Sequence, residues 1–157
     1  MPREMVMTWE LLDAITRARQ QLAAARPMIW ERCHMPTAEH TAILRVVTDG
    51  AHWRPAADGD RFLIRVWIEV VMPDARHMSS CLDFVVAPDT FSIRPYISLV
   101  DGREHLLWDG APEVRHDTQG LLELVDFAAR NLLRATMRVD FRDPLRNDVG
   151  QMISMLR

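Results

Sequence analysis

A chain of 157 residues, 48% hydrophobic and 26% charged, has the size and balance of one globular domain, able to bury about two-thirds of its unfolded surface. The formal net charge of -3 excludes the strongly basic nucleic-acid-binding class, and the apolar fraction excludes the disordered class. Cys33 and Cys81 lack C-x-x-C spacing, so neither a disulfide framework nor a zinc site is implied, and a reducing, cytoplasmic compartment is expected.

Thr8 is a candidate cap for a helix reaching about Arg26, with Leu11, Ile15, Ala18, Leu22 and Ala25 along one stripe and Pro27 as its end. The stretch through Cys33 and Pro36 has no clean period and reads as irregular or as a short helical turn. Branched residues from Ile43 to Thr48 suggest a first strand. Asp49-Gly50 then offers a two-residue reversal into a short return strand at His52 and Trp53. Pro55 to Asp60 reads as a loop.

From Phe62 to Met72 the apolar residues alternate, so Phe62, Ile64, Val66, Ile68 and Val70 face a core while Leu63, Arg65, Trp67, Glu69 and Val71 form a mixed opposite face. After a turn at Pro73-Asp74, Leu82, Phe84 and Val86 point inward, and Cys81, Asp83 and Val85 outward. Phe91, Ile93, Ile97 and Leu99 continue the pattern. Pro95 among them has no N–H for a ladder and calls for a sheet edge or a bulge. Asp101-Gly102 is a second turn signal, leading back through Glu104 to Trp108. Asp117 or Thr118 caps a last helix of about Gln119 to Met137, with Leu121, Leu122, Val125, Ala128, Ala129, Leu132 and Leu133 on its stripe. Val149, Met152, Ile153 and Leu156 give the tail 141–157 a short amphipathic face, suited to docking on its own domain or to homo-oligomer formation. The expected fold is therefore α+β: one domain over 1–140, an antiparallel β-meander of four to five strands flanked by an N-terminal and a C-terminal helix.

Chemistry is sparse. Glu104, His105, Asp109, His116 and Asp117 form the one cluster whose residue types suit acid-base work or a metal, since imidazole with carboxylate can shuttle a proton near neutral pH. Its spacing matches no metal-ligand pattern, and no metal or cofactor is expected. His77 lies four residues before Cys81, but a mid-strand thiol lacks the helix N-terminus or exposed loop that lowers a thiol pKa. Phosphate-binding glycine loops and nucleophile elbows are absent, which weighs against an enzyme. Trp67 shares a face with Arg65 and Glu69, a mixture typical of partner surfaces. No apolar run approaches the roughly 18 residues of a membrane span, and the first residues lack the apolar centre of an export signal. The expected partner is accordingly another protein, with no nucleic acid and no membrane. All 19 basic residues are arginine, which fits arginine-rich codon usage or an avoidance of lysine amine chemistry.

The run F-V-V-A-P-D-T-F-S-I-R-P-Y-I-S-L, through Phe84, Val86, Pro88, Phe91, Arg94, Pro95, Ile97 and Leu99, resembles the segment that ubiquitin-conjugating enzymes and their inactive relatives carry after the third strand. Ser92 stands where that family has a proline, His105 is not followed by Pro-Asn, and no cysteine follows Cys81. The resemblance thus implies an inactive adaptor that binds a modifier or scaffolds a complex, with Phe91 to Pro95 crossing the sheet edge as a proline-braced turn. With the mixed sheet face, it nominates Arg65, Trp67, Glu69, Phe91, Arg94 and Tyr96 as partner-binding residues. Two alternatives stand beside the adaptor: a bacterial immunity or chaperone-type protein covering a toxin or effector, and a small hydrolase or metal enzyme using His105, Asp109 and His116.

Overall fold

The structure is a computed structural model that describes residues 9–34, 46–55, 61–71, 76–87, 90–115 and 119–141. Helices α1 (Trp9–Ala24) and α2 (Arg26–His34) precede the strands β1 (Val46–Pro55), β2 (Phe62–Val71), β3 (His77–Val86), β4 (Phe91–Val100), β5 (Glu104–Asp109) and β6 (Glu113–Arg115), and helix α3 (Leu121–Arg138) follows. The strands form one antiparallel sheet in the order β1-β2-β3-β4-β5, with β6 also on β4. This is the α+β meander that the alternating runs predict. The candidate caps Thr8, Asp117 and Thr118, the turn at Pro73-Asp74 and the tail 142–157 lie outside the described residues.

Period-two alternation makes the sheet two-faced. Ile64, Val66, Ile68 and Val70 of β2, Met78, Leu82, Phe84 and Val86 of β3, and Phe91, Ile93, Ile97 and Leu99 of β4 are all buried in one core. The helices complete that core. Leu11, Ala14, Ala18 and Leu22 line the buried face of α1, and Leu121, Leu124, Val125, Ala128, Ala129 and Leu132 that of α3. The small alanines let both helices come close to the sheet. A buried hydrogen bond ties the layers together, Ser80 Oγ to Thr136 Oγ1 at 2.7 Å, and Thr136 in turn donates to the Leu132 carbonyl at 2.8 Å. Arg17 of α1 grips Asp126 of α3 through two hydrogen bonds of 2.7 and 2.8 Å. Among the described residues no helix is long and apolar enough to cross a membrane.

Four local expectations are corrected. Pro27 does not end helical structure: it is the second residue of α2, because a first-turn residue has no intrahelical use for its N–H. Asp49-Gly50 does not reverse the chain. β1 runs straight through it, Asp49 opposite Ile68 and Gly50 opposite Trp67, since a ladder of ten paired positions with β2 outweighs one local turn preference. The N-cap of α3 is Gly120, whose φ of 70° is a left-handed conformation that glycine accepts at little cost.

The fourth correction concerns Pro95. Phe91 to Pro95 is no proline-braced crossing; it belongs to β4 and pairs with β3 residue by residue, Pro95 opposite Leu82. The other side of β4 explains how proline is tolerated. β6 covers Phe91 to Ile93 and β5 covers Tyr96 to Val100, so Arg94 and Pro95 face the break between them, at Gly110-Ala111-Pro112. The Pro95 carbonyl still accepts from Gly110 N at 2.9 Å, which turns its missing N–H toward the same break. Gly110 is required there, because a Cβ would stand 2.6 Å from Pro95 Cγ.

Candidate functional site

The alternation that buries one face of the sheet delivers a second set of side chains to the other, and the register aligns them in rows. Arg65, Asp83 and Arg94 make one row across β2, β3 and β4; Trp67, Cys81 and Tyr96 make the next, continued by Asp109 on β5. Glu69, Ser79, Ser98 and Leu106 follow. The three helices lie on the opposite, core-lined face.

Charges on this outer face are locked in forks. Arg65 holds Asp83 through Nε–Oδ1 at 2.8 Å and Nη2–Oδ2 at 3.0 Å, and Arg94 holds Asp109 through the same atoms at 2.9 and 3.1 Å. Planar bidentate geometry restricts each guanidinium to one orientation. Both guanidiniums then lie over the Tyr96 ring, 5.7 Å from its centroid for Arg65 and 4.8 Å for Arg94. Tyr96 is buried beneath them, and burial raises its phenol well above the ordinary value. The hydrogen bond to Asp83 raises the Arg65 guanidinium in turn, so it stays charged at any working pH. Asp83 has only 9% of its side chain exposed, and without Arg65 it would be a nearly buried lone carboxylate. Beside this lattice a cleft of about 280 Å³ opens, lined by Arg65, Asp83, Arg94, Tyr96, Glu104 and Leu106.

Five of the six nominated residues, Arg65, Trp67, Glu69, Arg94 and Tyr96, share this face. Phe91 does not. It occupies an odd position of β4, in phase with Ile93 and Ile97, and is 2% exposed in the core; it is a packing residue, unavailable to a partner. Sequence reading missed Asp83 as the anchor of Arg65, and it missed Glu104 and Leu106 as cleft walls. The alternation placed Asp83 outward, but which arginine stands opposite depends on a register that no single strand encodes.

Comparison with known protein families, curated proteins and solved structures finds no match. What the candidate residues can do is therefore read from geometry alone.

His105 and Asp109 are not brought together. β5 pairs His105 with Leu99 and Asp109 with Tyr96, partners on opposite faces of β4. His105 Nε2 is hydrogen-bonded to Asp101 at 2.8 Å, and Asp109 is committed to Arg94. His116 lies outside the described residues. Among the described residues no group of three or more His, Cys, Asp or Glu side chains is placed to hold a metal ion.

The thiols fare no better as nucleophiles. His77 and Cys81 lie on one face, but four strand residues separate them by about 13 Å, and His77 is hydrogen-bonded to Glu69 on β2. Cys81 instead sits between Trp67 and Tyr96. Burial pushes its thiol up to about 12, against the downward pull of its hydrogen bond with Tyr96. Cys33, on the buried side of α2, is pushed up to about 11, also by burial.

Proposed function

We propose that this chain is a non-catalytic protein-binding module that engages its partner through the helix-free face of its sheet. One observation carries the reading: two arginine–aspartate forks stacked on Tyr96, flanked by half-buried Trp67. Tryptophan and arginine are among the residue types that dominate binding energy at protein interfaces, and Tyr96, itself buried, is the platform on which the arginines rest. Here they are ordered by the chain itself, which lowers the entropy lost when a partner arrives. Two forks held by cross-strand register act as a rigid pattern of donors and acceptors, and patterned charge gives specificity and orientation more than raw affinity.

Among partner classes, an immunity or chaperone-type role, covering part of another protein, is favoured over a conjugating-enzyme-like adaptor. The segment that would carry the adaptor resemblance runs as a ladder strand through Pro95. The sheet face it helps to build carries no described helix, and Arg65, Trp67, Glu69 and Arg94 on it are partly exposed.

The experiment is affinity co-purification of the tagged chain from its native cells, in parallel with Trp67→Ala and Arg94→Glu on the outer face and Phe127→Ser on the exposed side of α3. A stoichiometric partner retained by the parent and by Phe127→Ser, and lost with the two outer-face variants, is the expected result. Retention indifferent to the outer face, loss with Phe127→Ser, or no stoichiometric partner at all would refute the reading.

A further inference from the structure

The cleft on the outer face has a charge imbalance that selects its occupant. Its two guanidiniums are already answered, Arg65 by Asp83 and Arg94 by Asp109. Glu104, at the start of β5, is the second carboxylate of the lining beside Asp83, and among the described residues it has no ion-pair partner. The lining itself holds two guanidiniums and two carboxylates, but Asp109 answers Arg94 from outside it, so each fork is neutral within itself and the unanswered charge is that of Glu104. Its field extends into the sheet, where it adds to the forces raising the Cys81 thiol. An incoming anion would have to displace Asp83 or Asp109 from a bidentate fork, whereas an incoming cation finds a carboxylate ready to accept hydrogen bonds. Leu106 adds an apolar wall between Glu104 and the Arg94–Asp109 fork, suited to the methylene stem of a long basic side chain.

We infer that the cleft between Tyr96, Leu106 and Glu104 receives an arginine or lysine side chain from a basic segment of the partner protein. This rests on the outer face being the partner surface, and it specifies what that surface takes. The cation's charged end meets Glu104, its stem lies along Leu106, and the two forks frame the opening without competing for it. At about 280 Å³ the cleft suits one long side chain rather than a folded element.

The test is a titration of the full chain with N-acetyl-arginine amide and N-acetyl-lysine amide, followed by amide resonances, with N-acetylglutamate as the anionic control. Saturable shifts at Tyr96, Glu104 and Leu106 are expected from the two cations and not from the anion, and they should shrink with added salt. Glu104 is exposed, so Glu104→Gln should leave the spectrum folded and weaken the cation about fivefold or more, the worth of one charge-assisted contact. Equal response to N-acetylglutamate, shifts confined to the helices, or an unaltered affinity in Glu104→Gln would overturn the inference. Co-purification separates the two levels of failure. If capture of the native partner still depends on Trp67 and Arg94 while the cations leave the cleft unmoved, the occupant is wrong and the surface stands. If capture ignores both, the surface reading falls as well.

Discussion

Replacing Thr136 by valine should destabilise the fold by about 1–3 kcal/mol, whereas replacing its partner Ser80 by alanine should cost well under half as much. The asymmetry comes from the direction of the bonds. Thr136 gives its proton to the Leu132 carbonyl, so the proton in the Ser80–Thr136 bond must come from Ser80. Valine keeps the shape of threonine and its helix propensity class, but it leaves the Ser80 hydroxyl with a proton and no acceptor inside a fully buried layer. Alanine at position 80 takes that donor away, and Thr136 remains bonded to Leu132. The double variant removes both polar groups and should recover most of the loss, giving a coupling energy of about 1 kcal/mol or more. Equilibrium urea unfolding, read by tryptophan fluorescence and far-ultraviolet circular dichroism, measures all three, with an unchanged m value as the sign that only stability has moved. If Ser80→Ala cost as much as Thr136→Val, or if the two losses simply added, the two hydroxyls would not share a bond and the placement of α3 on β3 would be wrong.

Further outcomes follow from other features. Gly110→Ala should cost about 1–3 kcal/mol by overpacking, because its Cβ would meet Pro95 Cγ at 2.6 Å and the Trp108 ring at 2.8 Å; a melting temperature equal to the parent's would contradict that contact. Both cysteines should resist a thiol reagent at pH 8 in the folded state and react together on denaturation, since burial holds Cys33 near 11 and Cys81 near 12; rapid modification of native Cys81 would disprove its burial. The hydrogen bond from His105 holds the exposed Asp101 carboxyl below the ordinary aspartate value. A depressed carboxyl adds stability that is present above its unfolded pKa and is lost as pH falls through the folded one. A carbon-detected titration of Asp101 should therefore move up toward the ordinary value in His105→Ala, and an unshifted midpoint would reject the pairing.

The long alternating runs were legible because burial on one face forces a period of two that no other element shares. β2 and β4 end within a residue or so of their expected limits, and Asp101-Gly102 turns as its residues suggest, Gly102 at a φ of 98°. Less legible was whatever depends on a partner distant in sequence. The first half of β3, His77 to Ser80, is too polar to read as a strand, and it becomes one because β2 and β4 flank it on both sides. β1, at the sheet edge, overrode its own turn signal because β2 pairs with it along its whole length. β6 is three exposed residues with no apolar pattern, visible only once β4 offers an edge. The candidate site was half legible. Alternation sent Arg65, Trp67 and Glu69 outward, but the forks to Asp83 and Asp109 are cross-strand pairs, and only the register creates them.

The clasp between Arg17 and Asp126 joins positions 109 apart in the chain, whereas each strand of the meander pairs with its immediate neighbour. That difference orders the life of a nascent chain. Strands β1 to β5 can assemble hairpin by hairpin as they leave the ribosome, because local pairings need little loop closure. The inner face they create, with Leu82, Phe84, Ile97 and Leu99, then waits uncovered until α3 has been synthesised. A stall or premature stop before Leu121 would strand a half-built sheet with its oily side in water, a species prone to aggregate and a natural client for chaperones.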